Sequence, residues 1–160
     1  MLVDFKDLGS DARIWIYQSD RKFDQIEIDE ISKLSSEFVK EWTAHGQGLQ
    51  GSYKIVYDQF LIIGVDENFN RASGCSIDTS VKFIQSLENQ FNLSLSDRSK
   101  VAILIGDEVF IEDFRELKEK VKKSEMAGNA KTFNNYITTK KELDEAWLSP
   151  IQDSWLKKYL

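Results

Sequence analysis

SYKIVY (52–57) and FLIIGV (60–65) stand on either side of the short Asp58-Gln59 turn, and this pairing constrains the fold more than any other feature. Two strand-like runs joined by so few residues pair antiparallel, as a hairpin. The second run is apolar enough to lie centrally in a sheet, with cover on both faces.

The flanking segments supply that cover. RIWIY (13–17) reads as a buried strand. Asp24 with Glu27 makes a capping box, Phe23 and Ile28 stand at hydrophobic-staple spacing, and Ile31, Leu34, Phe38 and Trp42 share one helical stripe. This helix is expected to stop at His45-Gly46, with glycine as the left-handed cap. After the loop ENFNRASG, residues Ile77, Val81, Ile84, Leu87 and Phe91 mark a second helix closing near Asn92. VAILI (101–105) is a further buried strand, and Gly106-Asp107 turns it into EVFI (108–111).

The order strand, helix, hairpin, helix, strand implies an α+β fold, a ferredoxin-like βαββαβ sandwich with an added edge strand and C-terminal helices. A chain of 160 residues is expected to form a single domain, with an α+β core over 1–111 and a helical extension over 112–160 packed on it. In the extension, a helix is expected around 112–123 and a polar loop through AGNAKTFNN. Two short helices then start at Thr139-x-x-Glu142 and at Ser149-Pro150-x-Gln152. Leu143, Trp147, Trp155 and Tyr159 are expected to cover one open face of the sheet.

The net charge of −6 argues against nucleic acid as a partner, because a phosphate-binding footprint needs clustered Lys and Arg. The most basic run, RELKEKVKK (115–123), is interleaved with Glu at helical spacing and reads as a solvated face. The N-terminal residues lack the basic start and continuous apolar core of a signal peptide, and no segment is apolar for long enough to span a bilayer. A cytoplasmic protein without membrane contact is the expectation. One Cys and one His leave no internal disulfide and no Cys/His zinc constellation, and no cofactor motif identifies a bound group.

Two stretches resemble nucleotide sites. Gly46-x-Gly48-x-x-Gly51 matches the dinucleotide fingerprint, but there the glycines must follow a strand and open a helix, whereas here a helix precedes and a strand follows. LIIGVDE (61–67) looks like a Walker B strand, yet the chain holds no GxxxxGK[ST] loop to present a phosphate to it. Asp66 and Glu67 read as loop-entry residues, with weak cation binding as the alternative.

ASGCSIDTS (72–80) crowds Ser73, Gly74, Cys75, Ser76 and Asp78 around the start of a helix, where backbone N–H groups lack partners. Such a turn can hold an anion and lower a thiol pKa; the same residues also serve as caps around a small cysteine. Cys75 as nucleophile, His45 as base and Asp78 or Asp66 as orienting carboxylate would make up a catalytic set if the fold brought them together.

WIYQSDR (15–21), WTAHG (42–46), VDE (65–67), ASGCSID (72–78), FNN (133–135), TTKKEL (138–143) and the closing W-x-x-P-x-x-x-SW carry a resemblance that runs nearly end to end. The chain resembles a family of short uncharacterised bacterial proteins sometimes labelled "ABC transporter ATPase". The resemblance implies a bacterial, cytoplasmic setting and an intact domain. The ATPase label is not carried over, because the Walker A loop and the LSGGQ-type signature are both missing from this sequence.

The leading expectation is therefore a small-ligand or anion-binding module, or an interaction module, that uses the loops at one end of the sheet. Its ligand, a small molecule or a protein, would meet Trp42, His45, Asp66, Glu67, Ser73, Gly74 and Ser76. The alternatives are a hydrolase or acyl transferase acting through Cys75 and His45, and a scaffold that forms a homodimer through its edge strand or C-terminal aromatics. In a βαββαβ domain, loops 44–51 and 66–78 are expected to be neighbours, with Trp42 as an apolar floor beneath them.

Overall fold

The hairpin is present as β4 (Gln50–Val56) and β5 (Phe60–Asp66), and every residue of β5 is buried in the computed structural model, which describes residues 1–160. The turn lies one residue earlier than expected. Tyr57 and Asp58 take positive φ values of 56° and 52°, and the Gln59 N–H closes the turn on the Val56 carbonyl at 3.1 Å. Gln59 itself is only 1% exposed, because its Nε2 donates to the Ser19 carbonyl at 2.6 Å and draws it out of the turn.

β1 (Arg13–Gln18) pairs antiparallel with the other side of β5, so the first sheet runs β1-β5-β4. Helices α1 (Gln25–Glu41) and α2 (Gly74–Phe91) cover one face of it, packing Ile31, Ile84 and Leu87, together with Trp42 just beyond α1, onto Leu61, Ile63 and Val65. Phe38 of α1 and Phe83 of α2 stack with ring centroids 4.4 Å apart. The Asp24–Glu27 capping box forms in full.

α1 stops earlier than its glycine suggests. Trp42 is already extended, and His45-Gly46, at φ 53° and 76°, forms the turn of a miniature hairpin between β2 (Thr43–Ala44) and β3 (Gln47–Gly48). Positive φ at both central residues is what a two-residue type I′ turn demands, so Gly46 is a hairpin residue rather than a helix cap. At α2 the buried positions are Ser76, Ser80, Ile84 and Leu87, while Val81 is 44% exposed.

A second sheet contains β6 (Lys100–Ile105), β7 (Glu108–Asp113), β8 (Lys131–Phe133) and β9 (Leu148–Pro150), in the order β7-β6-β8-β9. The architecture is α+β, as expected. The strand β6, which a ferredoxin-like sheet would seat beside β1, pairs with β7 and β8 in this separate sheet. The two sheets meet through Ile14, Phe60 and Ile62 on one side and Ala102, Leu104 and Phe133 on the other, with Trp147 between them. On the outer face of the second sheet, Val101 and Ile103 pack against Leu117 and Val121 of α3 (Phe114–Lys122).

Residues 112–160 are thus not only helical. β8 lies within the expected polar loop and β9 at an expected helix start; strands of three residues carry too little alternation to be read from sequence. α4 (Lys140–Ala146) starts at the Thr139–Glu142 capping box as expected, whereas Pro150 leads into two 3-10 segments, Ile151–Asp153 and Trp155–Tyr159. The four C-terminal residues divide between two faces. Leu143 and Trp147 enter the core between the sheets, while Trp155 and Tyr159 pack around Phe114 outside the second one. No helix is long and apolar enough to cross a membrane.

Candidate functional site

Loops 44–51 and 66–80 do lie side by side. Asn70 Nδ2 donates to the carbonyls of Ala44 and Gln47 at 3.3 and 3.2 Å, and the Trp42 indole N–H reaches the Ser76 carbonyl at 2.9 Å. Trp42 is 2% exposed, so it forms part of the core under these loops. Most of the polar groups expected to face a ligand are used within the protein. Ser73 and Ser76 cap α2 reciprocally: the Ser73 hydroxyl accepts from the Ser76 N–H at 3.1 Å, and the Ser76 hydroxyl from the Ser73 N–H at 2.6 Å. Asp66 is buried and accepts from the N–H groups of Asn68 and Gly9, and Glu67 accepts from the Ala72 N–H. Gly74 has open space where a Cβ would stand.

His45 sits at the exposed tip of the β2–β3 hairpin, and Cys75 and Asp78 are exposed on the first turns of α2. No hydrogen bond links these three side chains; the one bond between a side chain and Cys75 is the Thr79 hydroxyl donating to the Cys75 carbonyl. Of the expected ligand-binding residues, Glu67 alone lines one of the two principal concavities, a shallow polar hollow shared with Asp11, Arg13 and Arg71. No group of three or more carboxylates, histidines or cysteines is placed to hold a metal ion.

The larger concavity lies elsewhere. A cleft of about 640 Å³ runs along the outer edge of β1, between that strand, the loop 95–98, the start of β6 and the segment 135–138. It exists because the two sheets meet face to face without joining at this edge. Only the near end of the β1 edge is occupied: the Ile14 N–H donates to the Thr138 carbonyl at 2.9 Å, and the Lys140 N–H donates to Ala12. Toward the far end two side-chain bonds cross the cleft wall while the strand's backbone edge stays unpaired, with Gln18 Nε2 donating to the Lys100 carbonyl and Asn135 Nδ2 donating to Gln18 Oε1. The Trp147 indole N–H fixes Asn135 in turn, at 2.9 Å from its Oδ1.

The walls combine aromatic rings with positive charge. The Arg13 guanidinium lies 4.8 Å from the Trp15 ring centroid, Arg98 lies 4.7 Å from Tyr136, and Lys158 lies 5.1 Å from Tyr159. Neither arginine has a carboxylate partner within ion-pair distance, although Lys100 stands 3.9 Å from Asp113. The one acid in the lining, Asp97, is already engaged: the Ser99 hydroxyl and N–H both donate to it and hold its carboxyl below the usual range. In a chain of net charge −6, the lining of this cleft carries four basic residues against a single, committed acid, an excess of positive charge.

Arg13, Trp15, Arg98, Tyr136 and Lys158 were not singled out by their sequence context. RIWIY reads as a buried strand, which hides that one edge remains unpaired, and Arg98 and Lys158 stand in exposed, mixed-charge segments. The available signal was Arg13 leading directly into an aromatic strand. Neither a family model, nor a curated protein, nor a solved structure matches this chain.

Proposed function

We propose that this chain is a binding domain that takes an anionic ligand with an apolar body in the cleft beside β1. The observation that carries the reading is the pair of arginines, Arg13 and Arg98, each set over an aromatic ring at the cleft with no carboxylate within ion-pair distance. A guanidinium stacked on a ring keeps its N–H fork free for an incoming carboxylate or phosphate. The aromatic walls would take the apolar part, and a volume of about 640 Å³ is in the range of small-ligand sites. The kind of module expected from sequence is retained, and its place moves from the loops around His45 and Cys75 to the β1 edge.

Thermal-shift titration with benzoate, phenyl phosphate and glutamate, at low and high salt, tests this reading. Stabilisation by at least one of these anions is expected, weakened by salt and by the double change R13Q/R98Q. If none of them raises the melting temperature, or if the double variant responds as the wild type does, the anion reading fails.

A further inference from the structure

We propose that the cleft receives an extended acidic peptide as an added strand on β1. This rests on the anion-binding reading and adds the backbone as a recognition element. Side-by-side geometry fixes which groups are available. In β1 the Ser19 N–H donates to Gln59 and the Ile14 N–H to Thr138, so residues 15, 17 and 19 point their backbone groups toward β5, and 14, 16 and 18 point theirs outward. Beyond the Thr138 contact, the Ile14 carbonyl, the Ile16 N–H and carbonyl and the Gln18 N–H face the cleft, and no strand pairs with them.

Acceptor, donor, acceptor, donor is the order a neighbouring strand reads, and residues 14 to 18 cover roughly 13 Å at about 3.3 Å per residue. A peptide of three to five residues satisfies all four groups at once; a nucleobase or a simple carboxylate reaches two at most. The chain already uses the edge in this way, since residues 138–140 pair with Ala12–Ile14 antiparallel. Strand addition of this kind takes affinity from the main chain and selectivity from side chains that alternate along it. Here selectivity falls to Arg13, Arg98 and Lys158, which favour carboxylates on the guest.

The test uses the full chain and fluorescently labelled, end-blocked Val-Glu-Val-Glu-Val-Glu, read by anisotropy. Two N-methylated forms, one blocking the amides of the valines and one those of the glutamates, separate strand pairing from simple filling of the cleft. Methylation of the set that faces β1 should weaken binding by about tenfold or more, and methylation of the other set much less. Val-Lys-Val-Lys-Val-Lys should bind at least tenfold more weakly than the acidic peptide. Equal binding of both methylated forms overturns strand addition. If phenyl phosphate or benzoate still binds in that case, the anion reading survives alone. If the acidic peptide and the small anions all fail to bind, both fall. Equal binding of the lysine peptide overturns the acidic preference.

Discussion

The Trp42 indole N–H donates to the Ser76 carbonyl at 2.9 Å, which ties the end of the first helix to the opening turn of the second inside the core. The same ring meets Trp15 edge-on and Phe38 at 5.1 Å, so one side chain holds both helices and the sheet. Trp42→Phe keeps an aromatic ring but removes the donor and part of the volume. A loss of about 2 kcal/mol in unfolding free energy is expected from urea denaturation. A change below about 0.5 kcal/mol would show that the bond contributes little.

Gly64 is required by a close approach. A Cβ there would stand 2.7 Å from Leu8 Cδ1, and Leu8 is itself only 3% exposed. Gly64→Ala should cost about 1–3 kcal/mol through overpacking. Combined with Leu8→Ala, which removes the obstructing methyl groups, the double variant should lose less stability than the two single losses added together. Strict additivity in a double-mutant cycle would place the strain elsewhere.

The bidentate Arg21–Glu27 pair, with both N–O distances at 2.8 Å, holds the Glu27 carboxyl down at about 2 from an ordinary 4.5. A depressed carboxyl pKa contributes stability that is complete above the unfolded value and is lost as the pH falls toward the folded one. The window is therefore pH 4.5 down to about 2. Because the Arg21 side chain is 43% exposed, solvent screening reduces the contribution to about 1 kcal/mol. Glu27→Gln should remove that part of the acid sensitivity while retaining an acceptor for the Asp24 N–H. Identical acid unfolding curves for variant and wild type would refute the assignment.

Cys75 is exposed on the first turn of α2 and lines neither principal concavity. Iodoacetamide should alkylate it in the native protein, with the melting temperature shifted by less than about 2 °C. Anion binding at the β1 cleft should be unchanged by alkylation or by Cys75→Ser. Labelling only after denaturation would contradict the exposed position, and loss of anion binding would return the loop cluster to the site.

The elements legible in the sequence are those with long periodic patterns or explicit punctuation: the β4–β5 hairpin, the Asp24–Glu27 cap, the helix closed at Asn92 and the box at Thr139. The short strands at 131–133 and 148–150 escaped because they are defined by partners distant in sequence rather than by their own pattern. The adjacency of the His45 and Ser73 loops followed from topology. The cleft did not, because it depends on β6 leaving the side of β1, and that choice is made by β7 and β8. The Ser73 and Ser76 hydroxyls illustrate the remaining difficulty: residue types suited to an anion site are also those that cap a helix, and here they cap.

The half-occupied edge of β1 gives one strand two kinds of amide clock. Ile14 N–H is bonded to Thr138, and Trp15 and Tyr17 face β5, so their protons exchange with solvent deuterium only when the structure opens. Ile16 and Gln18 present theirs to the cleft and should exchange orders of magnitude sooner, although they alternate with protected neighbours on the same strand. Exchange rates along these five residues thus record, amide by amide, where the sheet ends and where another chain can continue it.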